Sequence, residues 1–239
     1  MPVPDASSDT SSESGDESRD ESTSAAKAAV RSRLRAARRE LTAEQLSIRG
    51  RALSQVLQSV VPAGSAVAGY LPMPGEPDVR PFLIDHAEVG SPVYVPVIAS
   101  SADRLLTWVP WSPAAQLRRS AFAAVEEPLG DRLDTDTLRE RHPEGLTVLV
   151  PGLAVDHQGA RMGQGGGFYD TAFGAGTGQP ISTSGGPAAG HAPNLGPLRF
   201  IAVVHAEEVL PPGAFPVEPH DLRVHTIVTE REATTPRPL

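Results

Sequence analysis

Five runs of five or six residues, rich in Val, Leu and Ala and bounded by Pro or Gly, punctuate the chain at 66–71, 93–97, 105–109, 146–150 and 200–204. Runs this short and this continuously apolar suit strands buried on both faces, where neither side needs polar residues. Helical signals precede and separate them. Ser24 is placed to cap a helix carrying Val30, Leu34 and Leu41. Thr42-Ala43-Glu44-Gln45 reads as a capping box, opening a helix whose Leu46, Leu53, Leu57 and Val60 share one face. Further helices are expected over 79–88 and 134–141. Strands alternating with helices predict an α/β fold: a three-layer, open, mostly parallel sheet with helices on both faces. No internal repeat is visible.

Two low-complexity stretches stand outside that pattern. Residues 1–24 have no apolar periodicity and are expected to form a disordered acidic tail. Residues 174–197 are rich in Gly and Pro and read as a flexible loop inside one domain spanning 25–232, with a second disordered tail at 233–239. The formal charge is −8, of which −6 falls in residues 1–24 and only −2 in the rest. A nearly neutral body argues against general nucleic-acid binding. The chain has no cysteine, which excludes disulfides, thiolate metal sites and cysteine nucleophiles. No apolar run reaches 18 residues, so no membrane partner is expected. The N-terminus is acidic rather than basic-then-apolar, so the expected location is cytoplasmic; a monomer is the expected state.

The densest chemical signal lies at 148–170. A buried strand breaks at Pro151-Gly152, a turn follows at 156–159, and Arg161 leads into Gly163, Gly165, Gly166 and Gly167. In open α/β sheets ligands sit beyond the carboxyl ends of the strands, where this loop falls. Glycines let successive backbone N–H groups converge on an anion, and a guanidinium adds a forked donor. A tight turn beside a surface arginine would leave the same residues. The loop matches neither a Walker loop nor G-x-G-x-x-G, because Phe168 stands where the third Gly belongs. Lys27, the only lysine among 21 basic residues, lies one helical turn from Arg31. A solvated basic face is the other reading of that pair, since Arg33, Arg35, Arg38 and Arg39 follow. The histidines at 86, 142, 157, 191, 205 and 225 form no paired-ligand spacing and read as surface or turn residues. Trp108 and Trp111 read as core or sheet-edge aromatics.

As a whole, 148–170 closely resembles the signature of the 5-formyltetrahydrofolate cyclo-ligase family (methenyltetrahydrofolate synthetase): Pro-Gly-Leu-x-Phe-Asp, a short Gly turn, then Arg-Leu-Gly-x-Gly-x-Gly-Tyr-Tyr-Asp. Lys27-Ala-Ala-Val-Arg31 is similar to the family's Lys-x-x-x-Arg. Tyr70-Leu-Pro-Met-Pro-Gly-Glu76 is similar to its substrate segment ending in Glu. Tyr94-Val-Pro-Val, Glu127-Pro128 and the block from His220-Asp221 to Thr229-Glu230 continue the match in family order.

The resemblance implies ATP- and Mg²⁺-dependent cyclisation of 5-formyltetrahydrofolate to 5,10-methenyltetrahydrofolate, with ADP and phosphate released. The formyl oxygen would take the γ-phosphoryl group, giving an imidate phosphate, and N10 would then displace phosphate. By the same resemblance, ATP would be held by Lys27, Arg31, Arg161, Met162, Gly163, Gln164, Gly165, Gly166, Gly167, Phe168 and Tyr169. Lys27 and Arg161 would be the catalytic cations. Folate would meet Leu71, Glu76 and the loop from Gln164 through Phe168, and Asp170 and Asp221 would ligate Mg²⁺. Three positions depart from the family: Gln164 for Tyr or Arg, Phe168 for Tyr, and Thr171 for a basic residue. These departures motivate an alternative, a relative that binds folate or nucleotide without turnover. A sugar-phosphate isomerase or acyl-transfer enzyme lacks support, because no motif supplies a clear carboxylate or His base.

Overall fold

The five apolar runs all become strands of one sheet. The structure, a computed structural model, describes residues 14–173, 195–218 and 221–237. In chain order its elements are α1 (Ser14–Arg39), α2 (Ala43–Val60), β1 (Ala66–Ala68), α3 (Arg80–Glu88), β2 (Val93–Ser100), β3 (Leu105–Pro110), β4 (Leu117–Arg119) and β5 (Glu126–Pro128). Then come α4 (Thr135–Glu140), β6 (Leu146–Pro151), β7 (Ala154–Asp156), β8 (Arg161–Met162), α5 (Phe168–Phe173), β9 (Leu198–Val203), β10 (Val209–Leu210), β11 (Thr226–Val228) and β12 (Ala233–Thr234). Seven of the strands form a sheet in the order β12-β11-β9-β6-β1-β2-β3. The pairings from β11 through β2 are parallel, and only the two edge strands run antiparallel.

Because side chains alternate across a strand, each run feeds two cores. Leu146, Val148 and Val150 of β6 face a core with Trp108, Leu138 of α4 and Phe173 of α5. Leu149 faces the other side, with Leu53 and Leu57 of α2 and Phe82 and Leu83 of α3. Burying each such side chain stabilises the fold by about 1.5–3 kcal/mol. Helices thus cover both faces. The capping box at Thr42 is present, with Gln45 N donating to Thr42 Oγ1 and Thr42 N to Gln45 Oε1. Among the described residues, no helix is long and apolar enough to cross a membrane.

Several expectations are corrected. The tail expected over 1–24 is helical from Ser14, so Ser24 lies inside α1 rather than capping it, and Leu41 lies past its end. Residues 1–13 lie outside the described residues. The tail expected over 233–239 begins with β12, whose backbone covers the otherwise open edge of β11. Residues 238–239 lie outside the description, as does the loop expected over 174–197 up to residue 194.

His86, His142 and His205 are buried rather than superficial, because each ring finds an oxygen inside. Their Nε2 atoms meet Ser65 O at 2.8 Å, Tyr94 Oη at 3.0 Å and Gly75 O at 3.1 Å. His225 stacks on Phe200, His157 is exposed, and His191 is outside the described residues. Trp108 is fully buried and Trp111 is partly buried against the second core.

Candidate functional site

Beyond the end of β6, the chain makes a small second sheet, β10-β7-β8, and then the glycine loop. Asp156 shapes the β7–β8 turn by accepting from Gln158 N and Ala160 N, both at 2.9 Å. β8 carries Arg161, which is only 4% exposed. Its Nη2 donates to Asp170 Oδ1 at 2.7 Å and its Nη1 to Pro151 O at 3.3 Å. Gly165 and Gly167 adopt φ of 106° and 69°, values that L side chains rarely take, so the loop's path requires glycine there. The loop ends where α5 begins at Phe168, whose ring packs partly on the first core.

α1 supplies the opposite wall. Val30 and Leu34 anchor it on a third cluster with Leu153, Met162 and Phe215. Positions four apart share a helix face, which turns Lys27, Arg31 and Arg35 the same way, with Arg31 and Arg35 reaching the glycine loop. Arg31 Nε donates to Gly163 O at 3.1 Å. Arg35 donates from Nε to Gln164 Oε1 at 3.0 Å and from Nη2 to Gln164 O at 2.5 Å. Lys27 Nζ sits between Glu218 Oε2 at 2.5 Å and Asp221 Oδ2 at 2.9 Å. Burial would lower its pKa, but the two carboxylates outweigh that and hold the ammonium above its ordinary range.

Glu76 closes the third side. Its Oε2 accepts from Met73 N at 3.0 Å and its Oε1 from Gln164 Nε2 at 3.4 Å. Burial pushes this carboxyl above its ordinary range, with the Met73 N–H, Arg38 and Gln164 pulling the other way. A carboxyl with a raised folded pKa is stabilising in acid and loses that contribution as pH climbs past its folded pKa. Glu76→Gln is therefore expected to raise the melting temperature at neutral pH, with the gain vanishing in acid. Thermal melts across pH test this; a variant melting below the parent at neutral pH would refute it.

All fifteen residues expected at the site line one cavity of about 930 Å³: Lys27, Arg31, Leu71, Glu76, the stretch from Arg161 through Asp170, and Asp221. The stretch contributes Arg161, Met162, Gly163, Gln164, Gly165, Gly166, Gly167, Phe168, Tyr169 and Asp170. Asp170 and Asp221 share a corner, since Asp170 Oδ1 accepts from Leu222 N at 3.0 Å and Asp221 Oδ2 from Glu218 N at 2.8 Å. The described bonds fall on one oxygen of each carboxylate, leaving the other for a hard cation. Among the described residues, no group of three or more His, Asp or Glu is arranged to hold a metal alone. Among the described residues, Tyr169 Oη and Arg161 Nε are buried at the cavity with no hydrogen-bond partner, as are Arg38 Nη1 and Arg139 Nε outside it. Burial also pushes the Tyr169 phenol up, keeping it a neutral donor.

The cavity has further walls that the sequence reading did not place there: Glu218, Arg104, Ile98, Leu106 and Glu127. Glu218 stands three residues before Asp221, the one spacing that could have drawn attention to it. Arg104 takes φ of 54°, the single described non-glycine in the left-handed region, and no sequence signal marks it.

A family model for the 5-formyltetrahydrofolate cyclo-ligase family matches residues 23–230. The 5-formyltetrahydrofolate cyclo-ligase of Mycolicibacterium smegmatis is 30% identical over 172 residues, covering 71% of this chain and 75% of the relative. That of Escherichia coli K12 is 32% identical over 136 residues, covering 56% and 71%. Among solved structures, the 5,10-methenyltetrahydrofolate synthetase of Aquifex aeolicus superposes with a TM-score of 0.63 at 23% identity, covering 88% of this chain and 93% of that one. The Mycoplasma pneumoniae synthetase gives 0.57 at 16% identity, covering 86% and 99%. The two superpositions speak for the fold, and the matches along the sequence carry the assignment: this chain belongs to the 5-formyltetrahydrofolate cyclo-ligase family, a family of enzymes.

Proposed function

We propose that the protein uses ATP and Mg²⁺ to cyclise 5-formyltetrahydrofolate to 5,10-methenyltetrahydrofolate, releasing ADP and phosphate. The observation that carries this reading is the joining of two chemistries in one cavity. A cation-flanked glycine loop lies one hydrogen bond, through Gln164, from the buried carboxylate of Glu76.

Lys27, Arg31 and Arg161, with the loop N–H groups, would hold the phosphates, leaving little for the protein to do beyond positioning and neutralising charge. Glu76 would accept two hydrogen bonds from the aminopyrimidinone edge of the pterin, which Leu71 would pack against. That places the formyl oxygen to take the γ-phosphoryl group, so that N10 can displace phosphate from the resulting imidate phosphate. Asp170 and Asp221 would hold Mg²⁺, which would neutralise charge on the phosphates. Arg161 and Lys27 already orient these two carboxylates.

Purified protein with 5-formyltetrahydrofolate, ATP and Mg²⁺ is expected to develop methenyltetrahydrofolate absorbance, and none without ATP. Binding of both ligands without product would favour the non-catalytic relative. Glu76→Gln, expected to stabilise the free protein, is expected to weaken folate binding by about 1.5–3 kcal/mol, the scale for hydrogen bonds to a charged group. Calorimetry checks the second effect, and an unchanged affinity removes Glu76 from the substrate site.

A further inference from the structure

Gln164 touches both halves of the cavity. Its amide oxygen accepts from Arg35 Nε, its backbone oxygen accepts from Arg35 Nη2, and its amide nitrogen donates to Glu76 Oε1. An amide whose oxygen is taken by a guanidinium has only its nitrogen left to face a carboxylate, so Arg35 decides which way Gln164 points. The same fork sets the loop backbone. A trans peptide holds its N–H opposite its C=O. With the Gly163 carbonyl on Arg31 and the Gln164 carbonyl on Arg35, the N–H groups of Gln164 and Gly165 both turn away from those guanidinia. Two consecutive donors thereby face the same way, where one anion can take both.

We infer that Arg35 is a positioning residue that, through Gln164, couples the anion-binding loop to the Glu76 subsite, so that occupation of one tightens the other. This rests on the functional reading above. An anion seated on the loop fixes the Gln164 peptide, and the fixed amide steadies Glu76 in the geometry its ligand needs. Arg35 is exposed and does not line the cavity, and its hydrogen bonds go to Gln164, so its effect passes through that residue. The fork is what matters: two acceptors on one residue suit a planar guanidinium, and an ammonium has no equivalent pair of parallel donors.

The test measures folate affinity by calorimetry with and without a saturating non-hydrolysable ATP analogue. It uses the full chain, Arg35→Ala, Arg35→Lys and Gln164→Ala. The parent is expected to bind folate about fivefold or more tighter when the analogue is present, the usual lower range for coupled sites. All three variants are expected to bring that ratio close to one. A purely structural role would weaken one or both affinities and leave the ratio standing. A ratio of one in the parent, or a parental ratio in Arg35→Ala or Gln164→Ala, overturns the inference. A parental ratio in Arg35→Lys overturns the requirement for a fork. A parent that binds neither ligand overturns the functional reading instead, which separates the two failures.

Discussion

Arg38→Met is expected to cost about 3–5 kcal/mol of folding stability, the scale for stripping one partner from a buried ion pair. Arg38 and Glu208 are each only 5% exposed at the side chain. Arg38 donates from Nε to Glu208 Oε1 at 2.6 Å and from Nη2 to Glu208 Oε2 at 2.8 Å, with Nη2 also reaching Gly152 O at 2.6 Å. Glu208 Oε2 further accepts from His205 N at 2.9 Å, and the His205 ring meets Gly75 O. The pair therefore ties α1 to the loop after β6 and to the backbone beside Glu76. Removing the cation strands a carboxylate out of water, which explains why the single change is severe. Arg38→Met combined with Glu208→Leu is expected to recover most of the loss, because no charge is then left unpaired. Urea denaturation of the parent, both single variants and the double variant tests this. A double variant no more stable than Arg38→Met alone would show that the loss lies in packing rather than in the stranded charge.

Lys27→Met is expected to lower kcat/KM for ATP by about 10²–10³-fold, the scale for removing one preset donor aimed at charge developing in a transition state. Methionine keeps most of the aliphatic stem, so the core contacts of α1 survive while the ammonium goes. Two effects then act together. The proposed phosphate site loses a cation, and Glu218 and Asp221 face each other without the charge between them. That repulsion also raises the barrier for an incoming polyphosphate. Steady-state kinetics with each substrate varied in turn is the measurement, with circular dichroism confirming the fold. Kinetics indistinguishable from the parent would remove Lys27 from the phosphate site.

What could be read in advance follows from where the determining forces act. The central strands were legible because a strand buried on both faces has no polar positions, and Pro or Gly marks its ends. The capping box at Thr42 was legible because it is closed within four residues. The glycine loop was legible because only glycine takes its backbone path at Gly165 and Gly167. The small sheet was not foreseen, since β8 and β10 are two residues long and too short to show a period. Nor were the buried histidines, whose oxygen partners at Tyr94 and Gly75 lie 48 and 130 residues away. Glu218 and Arg104 join the site only because distant segments fold onto it.

Lys27 meets Glu218 and Asp221 across sequence separations of 191 and 194 residues. During synthesis, the lysine is therefore made long before the acids that hold it. A nascent chain that had already assembled β1, β2 and β6 would carry an uncompensated ammonium at the cavity until residue 221 left the ribosome. Such distant closure makes the site among the slowest parts of the molecule to form, because loop entropy must be met before the contact repays it. Any fragment ending before Glu218, however well its sheet folds, would be born without a finished site.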